Sequence, residues 1–450
     1  MITFSIMQKS RLEGPTRLDA EYYQPEYLKI EDVLGKLKTT LLSDVCKITD
    51  GNHSKISDNF SVLGVRYLRG MDLSDFFISD SDPVYIPDEI YKTLKRSYIF
   101  RNDVLVSIVG TVGLISIVAD EYEKLTGNCK IAILHPKNVD SWFLATFLAC
   151  RFGQGQIKRK VAGAVQTGII LKDLASIAVP VVNGGKQKQV NELIQKAYEN
   201  HTISKFLYSQ AEDLLLKELG LKDFEPEEEL SYIVNLSDVK SAHRADAEYF
   251  QPKYKKIEEK LVKTFNAKKI KDLDFIKVTT GQYSEEYTSE KNGMPYIRGT
   301  NLMQGTVNLD NIVYIDPQRQ IPQKKAKEGD VVVTRVGTIG ISARLPKEIE
   351  GGTISDNLIR LRFEEKALNS YYVSLFFNTI GSQLMIRESR GSVQARLNQE
   401  TLKEIILPIL PKSIQQKAAD LVHQSHQARK KSKELLERAK REVEEFIEGK

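Results

Sequence analysis

Glycine–threonine tetrads at two matched places, and lysines and arginines set beside glutamine, are the residues here whose types and spacing point to a chemistry. The tetrads are Gly110-Thr111-Val112-Gly113 and Gly337-Thr338-Ile339-Gly340, each following a β-rich run, Asp103-Val-Leu-Val-Ser-Ile-Val-Gly or Asp330-Val-Val-Val-Thr-Arg-Val-Gly. Two readings are open. Glycines at a strand end can expose backbone N–H groups to a phosphate, or they can supply the positive φ of a tight turn; the turn is the preferred reading. Lys158-Arg159-Lys160 precede Gly163-Ala-Val-Gln166, Arg387, Arg390 and Arg396 surround Gly391-Ser-Val-Gln394, and Arg335 sits beside the second tetrad. Loops of this kind can hold DNA phosphates with their cations while amides and guanidinium forks read base edges.

Catalytic constellations are missing from the sequence. It has no Gly-x4-Gly-Lys-Ser/Thr loop, no Gly-x-Gly-x-x-Gly after a strand, no Cys-x-x-Cys pair and no Asn-Pro-Pro-Tyr-like tetrapeptide. Pro87-Asp88 and Asp316-Pro317 open no acidic-x-Lys cluster. The six histidines, His53, His135, His201, His243, His423 and His426, do not recur between the halves, and His423 and His426, one helical turn apart, have no repeated acidic or Cys partner. Neither catalysis nor a metal site is expected.

The elements that must position the basic loops are duplicated. Arg17-Leu-Asp-Ala-Glu-Tyr-Tyr-Gln-Pro-Glu-Tyr-Leu-Lys-Ile-Glu31 returns at Arg244–Glu258 with eleven of fifteen positions identical. The offset of about 227 residues persists through Gly64–Leu73 against Gly293–Leu302, the two tetrads, and Gln187–Gly220 against Gln415–Glu448. A period this long excludes solenoid units of roughly 20–50 residues. Each copy has short strands and helical stretches such as Ser141–Arg151 and Ser370–Ile380, which predicts an α+β domain.

A long charged segment without Pro or Gly follows each domain and predicts one helix. Residues 1–183 and 223–411 are then domains, and 184–222 and 412–450 helical spacers. Apolar or small residues alternate three and four apart, at Val190, Leu193, Ala197, Asn200, Ser204, Leu207, Ala211 and Leu214, and at Ala418, Leu421, Ser425, Ala428, Ser432, Leu435 and Ala439. That is a heptad seam, and it predicts that the two helices pair as an antiparallel coiled coil about 50 Å long. The acidic run Asp223–Glu229 marks the boundary between the halves.

Hydrophobic content of 41% over 450 residues is enough for two cores, and a net charge of +5 requires any polyanion-binding face to be local. Cys46, Cys129 and Cys150 are unduplicated and not at metal spacing, as in a reduced cytoplasmic protein. The start of the chain has no basic n-region or cleavage site, and no window approaches ~18 consecutive apolar residues, so neither secretion nor a membrane span is expected.

The order of these features resembles the specificity (S) subunits of type I restriction-modification enzymes. The features are the Gly-x-x-Tyr-Leu/Ile-Arg-Gly segments, Asn102-Asp103 and Gly329-Asp330 before a strand, the tetrads, and Leu174–Pro180 and Leu402–Pro408 leading into the helices. The resemblance implies a non-catalytic, DNA sequence-recognition subunit whose two target-recognition domains read a bipartite double-stranded target. It implies two methylation (M) subunits docked on the exposed faces of the helices and, in many complexes, two restriction (R) subunits. S-adenosylmethionine, ATP and Mg would lie on those partners and no cofactor on this chain. By the resemblance the DNA contacts are Arg66, Arg69, Thr111, Lys158, Arg159 and Gln166 in the first domain, and Arg298, Arg335, Thr338, Arg390, Gln394 and Arg396 in the second. The alternatives are a stand-alone, repressor-like bipartite DNA binder and a protein-binding scaffold.

Overall fold

The computed structural model describes residues 5–9, 12, 18–61, 63–73, 76–80, 82–120, 122–163, 167–224, 229, 231–264, 267–391 and 395–449. Arg17, Gln166, Gln394 and most of the acidic boundary run, 225–228, lie outside them. The chain divides into two compact units, residues 1–201 with 430–450 and residues 202–429.

The same two sheets recur in each unit. In the first, an antiparallel sheet has the order Cys46–Asp50, Ile131–Pro136, Val104–Ser107, Ile115–Ile117; in the second, Lys277–Thr280, Leu358–Arg362, Val331–Thr334, Ser342–Arg344. The register is shared too, with Val104 opposite Leu134 and Val331 opposite Leu361. The smaller sheet centres on Val65–Leu68, antiparallel to Val84–Ile86 and parallel to Leu125–Gly127. Its counterpart centres on Met294–Ile297, with Val313–Ile315 antiparallel and Thr353–Ile354 parallel.

The two strands drawn from Asp103 and Asp330 are buried along their whole length because their Val and Leu residues face apolar layers on both sides. One layer is helical. Asp140 caps Ser141–Ala149 by accepting from the Phe143 N–H at 2.8 Å, and Asn369 caps Ser370–Asn378 in the same way. Phe143, Phe147 and Leu148 in one unit, and Tyr372, Phe376 and Phe377 in the other, fill the cores, each burial contributing roughly 1.5–3 kcal/mol. These helices end earlier than Arg151 and Ile380. The chain breaks at Cys150 and Thr379 and starts a second helix, Arg151–Lys160 or Ile380–Glu388.

The duplicated Arg-x-Asp-Ala-Glu-Tyr segment fastens the start of each domain to that second helix. Arg159 donates from Nε to the Tyr22 carbonyl (3.0 Å), pairs with Glu31 (3.2 Å) and covers the Tyr22 ring. Arg387 does the same with the Tyr249 carbonyl (3.1 Å), Glu258 (2.8 Å) and the Tyr249 ring. Gly155 allows the close approach of this packing, since a Cβ there would stand 2.2 Å from Cδ1 of Ile30.

The long helices are α1, Gly184–Glu218, and α2, Lys412–Glu448. Each is shared between the units, so the domain boundaries at 183 and 411 mark where the helices start and not where the compact units part. Within the first unit Lys186 lies over the Phe446 ring and Ser432 donates to the Ala197 carbonyl at 2.7 Å, so partner numbers fall as α1 advances: the helices are antiparallel. Within the second, Ser425 donates to the Ser204 carbonyl at 2.7 Å.

The seam is a heptad, but half of its positions move by one residue. Val190, Ala197, Ser204, Ala211, Ala418, Ser425, Ser432 and Ala439 are buried as expected. Between them the buried side chains are Ile194, Leu215, Val422 and Val443, with His201, Tyr208, Arg429 and Leu436 in the same phase. Leu193, Asn200, Leu207, Leu214, Leu421, Ala428 and Leu435 are only partly buried. The reason is geometric: residues at i+3 and i+4 flank one stripe, and Leu193, Leu214, Leu421 and Leu435 pack at its edge against the domain cores.

Candidate nucleic-acid interface

Both tetrads are tight turns. Gly110, Gly113, Gly337 and Gly340 all have φ between 82° and 100°, a region open to glycine without steric cost. A hydroxyl closes each turn: Ser107 Oγ donates to the Thr111 carbonyl at 2.6 Å, and Thr334 Oγ1 accepts from the Ile341 N–H at 3.2 Å. Thr111 and Thr338 are left exposed at the tips. The aspartates that open the strands are structural. Asp103 holds the Phe100 N–H and His135, whereas Asp330 holds the Lys327 N–H and Arg362. Asn102 and Gly329 share a left-handed backbone, φ 68° and 82°, so the Asn-for-Gly change leaves the turn intact.

A second loop is brought to each turn. Ala162 and Gly168 pair antiparallel, and Val109 pairs with Gly168; Arg390 pairs with Arg396, and Val336 with Arg396. The tetrads and the Gly-x-Val-Gln loops, about 50 residues apart in sequence, thus form one edge of each unit. Lys158, Arg390 and Arg396 are exposed at or next to it. Together with Thr111 and Thr338 they are placed as a backbone-contacting rim would require.

Three other candidates are removed from that rim. Arg66 is 4% exposed, and its guanidinium donates to the carbonyls of Tyr67, Ser79 and Val84 and lies 3.4 Å from Asp72. Arg69 is held by Asp72 and Asp82, and Arg159 by the clamp described above. A guanidinium enclosed by the carbonyls and carboxylates of its own domain is out of reach of a phosphate or a base. Arg335 is half-buried and reaches from Nη1 to the Asp356 carbonyl at 3.1 Å, bracing one wall of a cleft.

That cleft, about 620 Å³ in the second unit, is lined by Tyr283, Tyr287, the Gly337-Thr338 turn, Arg298, Asp356 and Asn357. Arg298 is the repeat counterpart of Arg69, and the two differ in their surroundings. Asp72 accepts the Arg69 N–H (2.6 Å) where Asn301 accepts the Arg298 N–H (2.9 Å). Likewise Arg69 donates to the Asp82 carbonyl where Arg298 donates to the Asn311 carbonyl (3.3 Å). Both carboxylates of the first unit are therefore amides in the second. Buried Arg66 explains the first of them, because it needs a carboxylate and its counterpart in the second unit is Pro295.

Tyr283, Tyr287, Asp356, Asn357 and Lys130 were not among the residues chosen from sequence. The strong divergence of Gly51–Lys55 from Gly281–Glu285 is a signal for Tyr283. Lys130 against Asn357, immediately before matched strands, was an equally readable one. Among the described residues no group of three or more His, Cys, Asp or Glu is placed to hold a metal ion, and no helix is long and apolar enough to cross a membrane.

A duplicated α+β domain, each copy presenting a polar, cationic edge, defines a protein with two recognition domains. The family of the type I restriction-modification DNA specificity domain matches residues 36–212 and again 262–440. The chain belongs to this family and carries two copies of its domain. No curated protein matches it. Among solved structures it is similar to a type I restriction-modification S subunit from M. genitalium, with 11% identity, 91% and 95% of the two chains covered and a TM-score of 0.42. It is also similar to the HsdS subunit from Thermoanaerobacter tengcongensis, with 14% identity, 92% and 96% covered and a TM-score of 0.30. The assignment rests on the family match.

Proposed function

We propose that this chain is the recognition subunit of a cytoplasmic type I restriction-modification complex, in which each unit reads one half of a bipartite double-stranded DNA target. The observation that carries the reading is the recurrence, in both copies of a DNA specificity domain, of a tetrad turn bridged to a basic loop. Exposed cations on this edge hold phosphates, and residues inside the neighbouring cleft meet base edges. Because the two units differ in sequence around this edge, their half-sites differ, which a symmetric homodimer could not achieve.

The charged outer faces of α1 and α2 offer docking surfaces for two methylation subunits, which would bring S-adenosylmethionine. Restriction subunits with ATP and Mg would complete a cleaving complex, and this chain would supply placement and no catalytic group. Methylation-site sequencing of DNA from cells making this chain with its methylation subunit tests the reading. Modified adenines in two short sequences at fixed separation, present only with this chain, are expected. If the two proteins associate and leave DNA unmodified, the reading fails and a stand-alone DNA binder or a scaffold takes its place.

A further inference from the structure

The matched strand ends of the two units carry their cations at different places. In the first unit Arg69 is neutralised by Asp72 and Asp82, while Lys130 is exposed and in no ion pair among the described residues. The two positions adjoin: a Cβ built on Gly70 would stand 3.6 Å from the Lys130 Cβ. In the second unit the lysine becomes Asn357, and Arg298 has no carboxylate partner among the described residues, its Nε being buried without a hydrogen bond. Moving a positive charge from one strand end to the neighbouring one, and from a flexible ammonium to a planar fork, changes which acceptors the cleft can satisfy.

We propose that Arg298 is a specificity-determining residue of the second unit and reads the acceptor edge of a guanine in its half-site, while Lys130 fills the corresponding role in the first unit; this rests on the recognition function proposed above. The surroundings of Arg298 favour a base over a phosphate. Asp356 and Glu285 line the same cleft, and their carboxylates repel a phosphate, whereas a base pair offers amino donors for them beside the acceptors for Arg298. The Tyr287 ring lies 5.7 Å from the guanidinium and restricts where the fork can point. Exposed Arg390 and Arg396 on the rim are better placed for the phosphates.

The test is selection of duplexes with both half-sites randomised, using the full chain together with its methylation subunit. Wild type is compared with Arg298→Ala, with the double change Asn301→Asp and Asn311→Asp, and with Lys130→Asn. The double change copies the carboxylates that the first unit carries at the same positions, so it neutralises Arg298 without removing its side chain. Arg298→Ala and the double change should each relax the preference for guanine at one position of one half-site by about 5- to 150-fold, leaving the other half-site as selective as before. Lys130→Asn should affect only the other half-site. A uniform loss of affinity over all sequences in the Arg298 variants would make Arg298 a phosphate contact and overturn the proposal. So would an unchanged preference while wild type remains selective. A wild type that selects no bipartite sequence defeats the recognition reading itself.

Discussion

The two units share strand order and register but differ in how each disposes of charge, and the comparison separates what the fold needs from what the half-sites need. Where the first unit buries Arg66 and closes it with Asp72, the second has Pro295 and Asn301. Where the first ties Asp103 to His135, the second ties Asp330 to Arg362 and Arg360. In each case the backbone is the same and only the partner changes. A turn needs an oxygen to accept an N–H, and either a carboxylate or an amide supplies it; a buried guanidinium needs the carboxylate.

The aspartate pair provides the largest test of this contrast. Asp330→Ala leaves Arg360, 2% exposed, without its charge partner, and should cost about 3–5 kcal/mol in denaturant unfolding of the full chain. Asp103→Ala leaves a histidine that can be neutral, and should cost about 1–3 kcal/mol. Equal losses would break the comparison.

A second contrast lies on the helices. In the second unit burial, reinforced by Arg429, His423 and Arg344, holds the His426 imidazole down at about 4 from its ordinary 6.5. The unfolded chain therefore binds the proton first. The stability tied to neutral His426 is fully present above pH 6.5 and falls as pH drops toward 4, by on the order of 3 kcal/mol. Glu212 runs the other way: burial raises its carboxyl to about 7, so its contribution is present below about pH 4.5 and is lost as pH rises through 7. His426→Gln should flatten the acid limb of the stability profile, and Glu212→Gln should raise stability at pH 8. In the first unit Tyr198 and Leu436 occupy the places of His426 and Tyr208, so Tyr198→Phe should leave both limbs in position.

The clamp and the rim differ less, but in a way that sharpens their roles. Arg159→Ala should cost about 1–2 kcal/mol of stability, because one charged hydrogen bond and a ring contact go, and leave the salt dependence of DNA binding alone. Lys158→Ala and Arg390→Ala should each leave stability within about 0.5 kcal/mol and reduce the slope of log affinity against log salt by about 0.9. A slope change in the Arg159 variant instead would return that residue to the interface.

Much of the architecture was legible in the sequence. Asp103 and Asp330 at the head of Val-rich runs identified the central strands, since only doubly buried strands read as continuous apolar segments. The seven-residue spacing of Val190, Ala197, Ser204 and Ala211 identified the paired helices. The choice between Leu193 and Ile194, or Leu421 and Val422, was not legible, because both members of each pair are apolar and only the packing of a third element decides which faces the partner helix. The roles of the arginines were hidden for a related reason. Arg66, Arg159 and Arg390 are alike in sequence, and what distinguishes them is whether carbonyls and carboxylates far along the chain close around the guanidinium.

The sequence by itself therefore determined the duplication, the α+β class, the two long helices and the turns, all of which follow from local periodicity and the backbone freedom of glycine. Tertiary structure alone decided which cations are free. A charge is available to a ligand only when no distant oxygen has already met it, and the 72–82 and 301–311 segments that settle this for Arg69 and Arg298 come to those side chains only when the domain has folded.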